Sequence, residues 1–260
     1  MRGDGRTVTS KALALLAAFE SGPNALSLSD LAEFAGLPLP TAHRLVGELV
    51  EWGALERDEQ GRYTVGLRLW TVAQNAGRHL RDTARPYLQD LFSLTHETAH
   101  IAIRDGDEAL YIDRIYGSTR VPRASRVGGR LPLHATAVGK VLLAYEDDWV
   151  REAYLANRLE AATRHTHVHP ARLAAELRKV REDGYAVTQE EVREGSCSIA
   201  VPVRLDPHPA AIGIVLPSVQ GAAMTRHLPT LRGIAQRIEA AAARPQPSLA
   251  RLSRRPATRA

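Results

Sequence analysis

Residues 26–66 read LSLSDLAEFAGLPLPTAHRLVGELVEWGALERDEQGRYTVG. Ser29 stands where a helix N-cap is wanted, because a hydroxyl there accepts a bond from a first-turn N–H that has no intrahelical partner. Leu31, Ala32 and Ala35 follow at helical spacing and form one apolar stripe. Gly36 stops this helix, since glycine enters the left-handed conformation of a C-cap without steric cost. After the Leu37-Pro38 turn, Pro40 suits the start of a second helix, where its missing N–H breaks no bond. The second helix runs to Trp52, buries Leu45, Leu49 and Val46, and closes at Gly53. Leu55, Arg57, Tyr63 and Val65 then alternate with their neighbours around a turn at Asp58–Gly61, the pattern of a hairpin. Two short helices joined by a glycine turn and followed by a hairpin are the order of a winged helix-turn-helix.

Working outward, Leu13, Leu15, Leu16 and Phe19 recur at helical spacing before Ser21-Gly22-Pro23 ends the run. Downstream, 67–95 reads as helix interrupted at Pro86. Beyond it HIAIRDGDEALYIDRIY is a hairpin around Asp105-Gly106-Asp107, and GYAVTQEE, CSIAVPVRL and AAIGIVLPSV are further strands, the last two joined by residues 206–209. Helices at about 137–146, 147–158, 170–183 and 223–242 alternate with them. The expected fold is two-domain: an N-terminal winged helix-turn-helix (7–66), a helical linker (67–85), and an α+β domain on a mainly antiparallel sheet (86–242). A disordered basic tail (243–260) follows.

The formal net charge of +5 invites a nucleic-acid reading, but its distribution does not carry one. Arg244, Arg251, Arg254, Arg255 and Arg259 are unaccompanied by any acid after residue 240, so the first 240 residues are electrically neutral overall. DNA binding must therefore rest on local features. A single cysteine gives no disulfide framework, and no apolar run reaches membrane-spanning length; a cytoplasmic protein with no membrane partner is expected.

Taken together, SLSDLAEFAGLPLPTAHRLVGELVEWGALER, GRYTVG, ETAHIAIRDGDEALYIDRI, LPLHATAVGKVLLA and GYAVTQEEVREGSCSIAVPV resemble the IclR family of bacterial transcription regulators, from about 7 to 242. The resemblance implies a GAF-like effector-binding domain behind the winged helix, no enzymatic activity, no cofactor, and assembly as homodimers or homotetramers. It implies effector contacts from backbone at Ala137 and Val138, from the Cys197 side chain, and from the strand positions Gly213 and Val215. Where the family often carries Lys-Ser ahead of Thr-x-His-Arg, Leu39 and Pro40 stand here, which narrows the expected DNA contacts. Its strand of small hydroxyl residues reads Gly213-Ile214-Val215-Leu216-Pro217 here, a less polar pocket end.

On the second helix, Thr41, His43 and Arg44 occupy the first turns, the part that enters a major groove. Arginine bonds guanine O6 and N7 bidentately, and threonine reaches a phosphate or a thymine methyl. Arg57 and Arg62 flank the wing turn and suit phosphate contacts; Arg2, Arg6 and Lys11 reach DNA only if the N-terminal arm lies along it. The expected partner is double-stranded DNA with a palindromic operator, matching a two-fold protein. At the second site, Ala135-Thr136-Ala137 opens the helix that carries Lys140, and a helix N-terminus favours a carboxylate. Gly213 supplies room and Val215 an apolar wall, so the expected effector is a carboxylate with a hydrophobic or aromatic body.

Other groups read more plainly. Cys197 beside Ile199 and Val201 is a small buried hydrophobe unless His134 or Glu190 activates it. His165, His167 and His169 share a face if extended, yet Pro170 follows them and no metal is expected. Asp113, Arg114, Arg123, Arg126 and Arg130 read mostly as solvated, with the last three available to steer an anion. The alternative is a regulator whose C-terminal domain only oligomerises or senses redox through Cys197.

Overall fold

A computed structural model describes residues 6–21, 24–73, 78–117, 126–206 and 209–244. Its contacts divide the chain into two units, 1–78 and 79–260. The boundary falls inside the stretch expected as a linker.

The first unit comprises α1 (Val8–Ser21), α2 (Leu28–Ala35), α3 (Leu39–Trp52), β1 (Leu55–Arg57), β2 (Tyr63–Val65) and α4 (Leu67–Ala73). α2 starts two residues earlier than expected. Its N-cap is Ser27, not Ser29: Ser27 Oγ accepts from Asp30 N–H at 3.2 Å while Asp30 Oδ2 accepts from Ser27 N–H at 2.9 Å. Asp30 reaches back three residues, so the reciprocal box forms only with Ser27, leaving Ser29 exposed inside the first turn. Gly36 and Gly53 cap α2 and α3 at φ 60° and 80°, as the sequence required. α3 begins at Leu39, with Pro40 in its first turn. Leu15, Ala18, Leu31, Ala32, Ala35, Ala42, Leu45, Val46 and Leu55 form the core, with Leu49 packed against it; Leu13, expected on the apolar stripe of α1, is exposed. β1 and β2 pair antiparallel, and Leu26 adds a separate backbone bridge by exchanging two hydrogen bonds with Tyr63 at 2.7 and 3.0 Å.

The second unit holds α5 (Arg78–Thr95), β3 (Thr98–Asp105), β4 (Glu108–Ile115), β5 (Arg130–Pro132), α6 (Ala137–Ala144), α7 (Asp148–Ala156), α8 (Pro170–Asp183), β6 (Ala186–Gln189), β7 (Ser196–Val203), β8 (Ala210–Pro217) and α9 (Leu228–Ala242). Pro86 does not interrupt α5. It lies on an exposed face, as does Asp82 one turn earlier, whose carbonyl loses the proline's missing N–H where water can replace it. The helix expected from 223 begins instead at Leu228, behind a 3-10 stretch over Ser218–His227.

All pairings of the six-stranded sheet are antiparallel, in the order β5-β4-β3-β8-β7-β6. Side chains alternate between its faces. Ile101, Cys197, Ile199, Val201, Ile212 and Ile214 pack one face against Leu88 and Leu91 of α5 and Leu231, Ile234 and Ile238 of α9. Ala102, Tyr111, Ala200 and Ala211 pack the other face against Val138, Val141 and Leu142 of α6 and Leu173 and Leu177 of α8. This three-layer domain agrees with the expected α+β class. Asp113 and Arg114, read as solvated, are buried on β4; Asp113 accepts both Arg85 Nη1 contacts at 2.9 and 3.0 Å. Arg2, Arg123, the 207–208 turn and the tail from 245 lie outside the described residues.

Candidate DNA-binding surface and effector pocket

Thr41, His43 and Arg44 lie in the first two turns of α3, with His43 and Arg44 exposed and Thr41 half-buried. Ala42, Leu45 and Val46 anchor the opposite side of the helix, so the exposed trio is held on a packed support. Arg44 Nη1 pairs with Glu48 Oε1 at 2.7 Å, both groups largely in solvent. A solvated pair of this spacing contributes only about 0.2–0.5 kcal/mol, so exchanging Glu48 for a base or phosphate costs little.

The wing is ordered by Asp58, whose carboxylate accepts from Gln60 N–H, Arg62 N–H and Arg62 Nε. These bonds hold the Asp58 carboxyl below its ordinary range, the Arg62 backbone contact being the largest cause. Arg57 donates from Nε to Gly61 O at 3.3 Å and lies 5.7 Å from the centre of the Tyr63 ring. Both wing arginines are exposed beside the turn. Arg6 instead serves α2: its guanidinium donates to Ala35 O and Gly36 O at 3.0 and 3.2 Å, satisfying carbonyls at the helix's negative end. Lys11 is half-buried on α1.

In the second unit a cavity of about 550 Å³, counting its open mouth, lies where α6 starts beside the sheet. Its lining includes Ala137 and Val215, with Tyr111, Leu131 and Val192 adding apolar wall. Thr136, the N-cap of α6, accepts from Gly139 N–H at 3.0 Å. Gly139 has to be glycine, since a Cβ would lie 2.4 Å from Leu133 O and 2.5 Å from Thr136 Oγ1. The N–H groups of Ala137 and Val138 remain at the open end of the helix, where a carboxylate is stabilised by about 0.3–1 kcal/mol, more when partly buried. Val138 and Gly213 are not among the lining residues; the Val138 side chain joins the α6–α8 core.

Cys197 borders the cavity, but strand alternation sends its side chain to the opposite layer. Ser196 and Ser198 flank it, and Ser198, opposite Val215 and Thr188, faces the cavity with them. The thiol donates to Pro217 O at 3.5 Å, and burial pushes its pKa up, with Glu97 and Glu190 adding to the effect. No thiolate is favoured there. His134 is not a base for it: Nδ1 meets Tyr154 Oη at 2.8 Å and Nε2 meets Glu160 O at 3.0 Å.

Sequence reasoning missed the rim of the cavity. Residues Glu191, Val192 and Arg193 lie on the β6–β7 connection, which turns at Glu190 with φ 58°. Thr163 and Thr166 tie this loop down by donating to Glu190 O and Glu191 O at 2.7 and 2.6 Å. Inside, Lys140 Nζ meets Glu191 Oε1 at 2.7 Å, Glu191 Oε2 at 2.9 Å and Glu176 Oε1 at 2.7 Å. Burial raises the Glu191 pKa against the pull of Lys140. Arg193 is exposed at the mouth and forms no ion pair among the described residues. The one available signal was Lys140 itself, a lysine within an otherwise apolar helix.

The three alternating histidines diverge. His167 Nδ1 lies 2.9 Å from Glu176 Oε2, His165 Nε2 lies 3.4 Å from Glu190, and His169 precedes α8. His167, Glu176 and Glu191 do cluster closely enough for a metal, but the Lys140 ammonium already supplies the cation between the two carboxylates. Arg130 pairs with Asp105 at 2.7 Å; neither it nor Arg126 lines the cavity.

Two family models match the chain in register with these units. The IclR helix-turn-helix domain matches residues 8–59, and the bacterial transcriptional regulator IclR C-terminal domain matches residues 73–240. The chain belongs to the IclR family. It is therefore a helix-turn-helix transcriptional regulator and not an enzyme. Similar IclR-type proteins include the transcriptional regulator XynR of Escherichia coli, 36% identical over 74% of this chain and 78% of its own length. KipR of Bacillus subtilis is 30% identical over 89% of this chain and 93% of its own. Among solved structures, an IclR homologue of Microbacterium hydrocarbonoxydans complexed with 4-hydroxybenzoate superposes with a TM-score of 0.85 at 31% identity, over 90% of this chain and 98% of that one.

Proposed function

We propose that this IclR-family regulator binds a palindromic operator as a dimer or tetramer, and that a small carboxylate in the α6 cavity sets its operator affinity. Residues 7–66 form the DNA-binding part, with Thr41, His43 and Arg44 reading the groove and Arg57 and Arg62 meeting phosphates. Residues 86–242 form the sensing part, joined through 67–85. The protein acts in the cytoplasm, where DNA and metabolites are both accessible.

The observation that carries the effector reading is the cavity itself. It opens at the start of α6, its walls are largely apolar, and the open N-terminus of α6 and the Arg193 cation favour an anion. Backbone N–H groups of Ala137 and Val138 hold the carboxylate, Val215 contacts the apolar body, Gly213 leaves room beside the lining His100, and Cys197 contributes backbone at the border. The similar protein that binds 4-hydroxybenzoate supports an aromatic carboxylate.

A thermal-shift screen of aromatic and aliphatic carboxylates, followed by operator gel shifts, tests the proposal. A binding acid raises the melting temperature by mass action and changes operator affinity. Stabilisation by uncharged polar ligands alone, or by an acid that leaves operator affinity unaltered, overturns it.

A further inference from the structure

One side chain in the cavity has no task in the reading above. His100 sits on β3 near the middle of the sheet, opposite Arg114 of β4 and Gly213 of β8. It is 2% exposed, lines the cavity, and leaves Nδ1 without a hydrogen bond. Its ring centre lies 5.2 Å from that of Tyr111, another lining residue. Gly213 leaves room on both sides: a Cβ there would stand 2.9 Å from Ile199 O and 3.1 Å from His100 Nε2. Glycine weakens a strand interior, and an unpartnered buried nitrogen is itself costly. Together they mark a polar group kept for something that enters the cavity.

The state of the ring narrows what that is. Burial, reinforced by the neighbouring Arg114 guanidinium, lowers the His100 pKa to about 3. The imidazole is neutral and offers one N–H and one lone pair. It adds no charge to hold a carboxylate, which the α6 N-terminus and Arg193 serve instead. A hydroxyl both donates and accepts, so it complements either tautomer of the ring.

We propose that His100 determines effector specificity by hydrogen-bonding a hydroxyl on the body of the ligand, so that the cavity selects hydroxylated aromatic carboxylates over unsubstituted ones. This rests on the carboxylate reading of the same cavity. An apolar wall discriminates weakly between such acids, whereas a buried group left unpaired by the wrong one discriminates strongly.

Titration calorimetry of the full chain with benzoate and each monohydroxybenzoate tests it, using the native protein, His100→Phe and His100→Gln. At least one hydroxylated acid is expected to bind about tenfold or more tightly than benzoate. His100→Phe should erase that preference while keeping benzoate binding, and His100→Gln should restore part of it. Nitrogen NMR of the labelled His100 ring in the native protein needs no variant to fold: Nδ1 should respond to the preferred acid and not to benzoate. Equal affinity for all these acids, an unchanged preference in His100→Phe, or an unresponsive Nδ1 overturns the role of His100 alone. Failure of every acid to bind the native protein overturns the carboxylate reading with it.

Discussion

Lys140 Nζ lies 2.7 and 2.9 Å from the two carboxylate oxygens of Glu191, and its side chain is wholly shielded from solvent. With Glu176 as third partner, protein carboxylates replace water around the ammonium and tie α6 and α8 to the cavity rim. Removing one member of such a set strands a buried charge. Lys140→Met is expected to lower unfolding free energy by about 3–5 kcal/mol in urea titrations. Glu191 is a carboxyl with a raised pKa, so protonation favours the folded state and the deficit should shrink as pH falls through its titration. A loss below about 1 kcal/mol would show that Lys140 is not the cation on which these carboxylates depend.

Stability should fall in acid because of His100, whose sign is opposite to that of Glu191. Above its ordinary pKa of 6.5 both folded and unfolded chains carry it neutral. Between 6.5 and about 3 the unfolded chain takes up a proton that the buried ring refuses, so stability is lost as pH decreases through that window. One such proton contributes a slope of up to about 1.4 kcal/mol per pH unit. His134, also lowered by burial first, has the same sign. Urea midpoints measured across this range should vary less with pH in His100→Gln than in the native chain; parallel profiles would contradict the assignment.

On the DNA side, Arg44→Ala should weaken specific operator binding and relax base preference, with effector affinity unchanged. Its stability should change by no more than a few tenths of a kcal/mol, because the Glu48 pair is solvated. Arg57→Ala and Arg62→Ala should weaken binding on all sequences and each reduce the log affinity–log salt slope by about 0.9. Gel shifts over a salt series separate these outcomes. A lowered salt slope with intact base preference in Arg44→Ala would reassign that residue to the backbone.

The corrected cap of α2 gives a further test. Ser27→Ala should cost about 1 kcal/mol, and Ser29→Ala no more than a few tenths. Comparable losses from the two substitutions would dispute the box between Ser27 and Asp30.

The legible parts of the chain were those governed by local chemistry. Gly36 and Gly53 could be read as caps because left-handed backbone favours glycine, and the wing because its turn is short. The Ser27 cap was legible in principle, since Asp30 stands at the box spacing, but two serines near one helix start obscured it. Pro86 was misread because the sequence does not show which face of α5 meets water. In the cavity, Ala137 and Val215 were approached through the family resemblance. His100 was not, because a polar residue within an apolar strand acquires meaning only from its partners in the sheet, and Arg193 was not, because the sequence does not show where the β6–β7 connection folds. Gly213 illustrates this: a side chain there would meet Ile199 O of β7 and the His100 ring of β3, both on distant segments. Cys197 was placed in the right strand, yet the phase of alternation turned its thiol away.

Ala99 faces Ile214 across the β3–β8 pairing, so the centre of the sheet joins strands from opposite ends of its domain. During synthesis β3 leaves the ribosome with β4 as its local hairpin mate and waits for β8 before its other edge is covered. The first unit, whose strands pair with segments nearby in sequence, can close its core well before then. The nascent chain therefore acquires its DNA-reading half ahead of its sensing half. In that interval the uncovered β3 edge is the kind of unpaired strand on which aggregation is expected to begin.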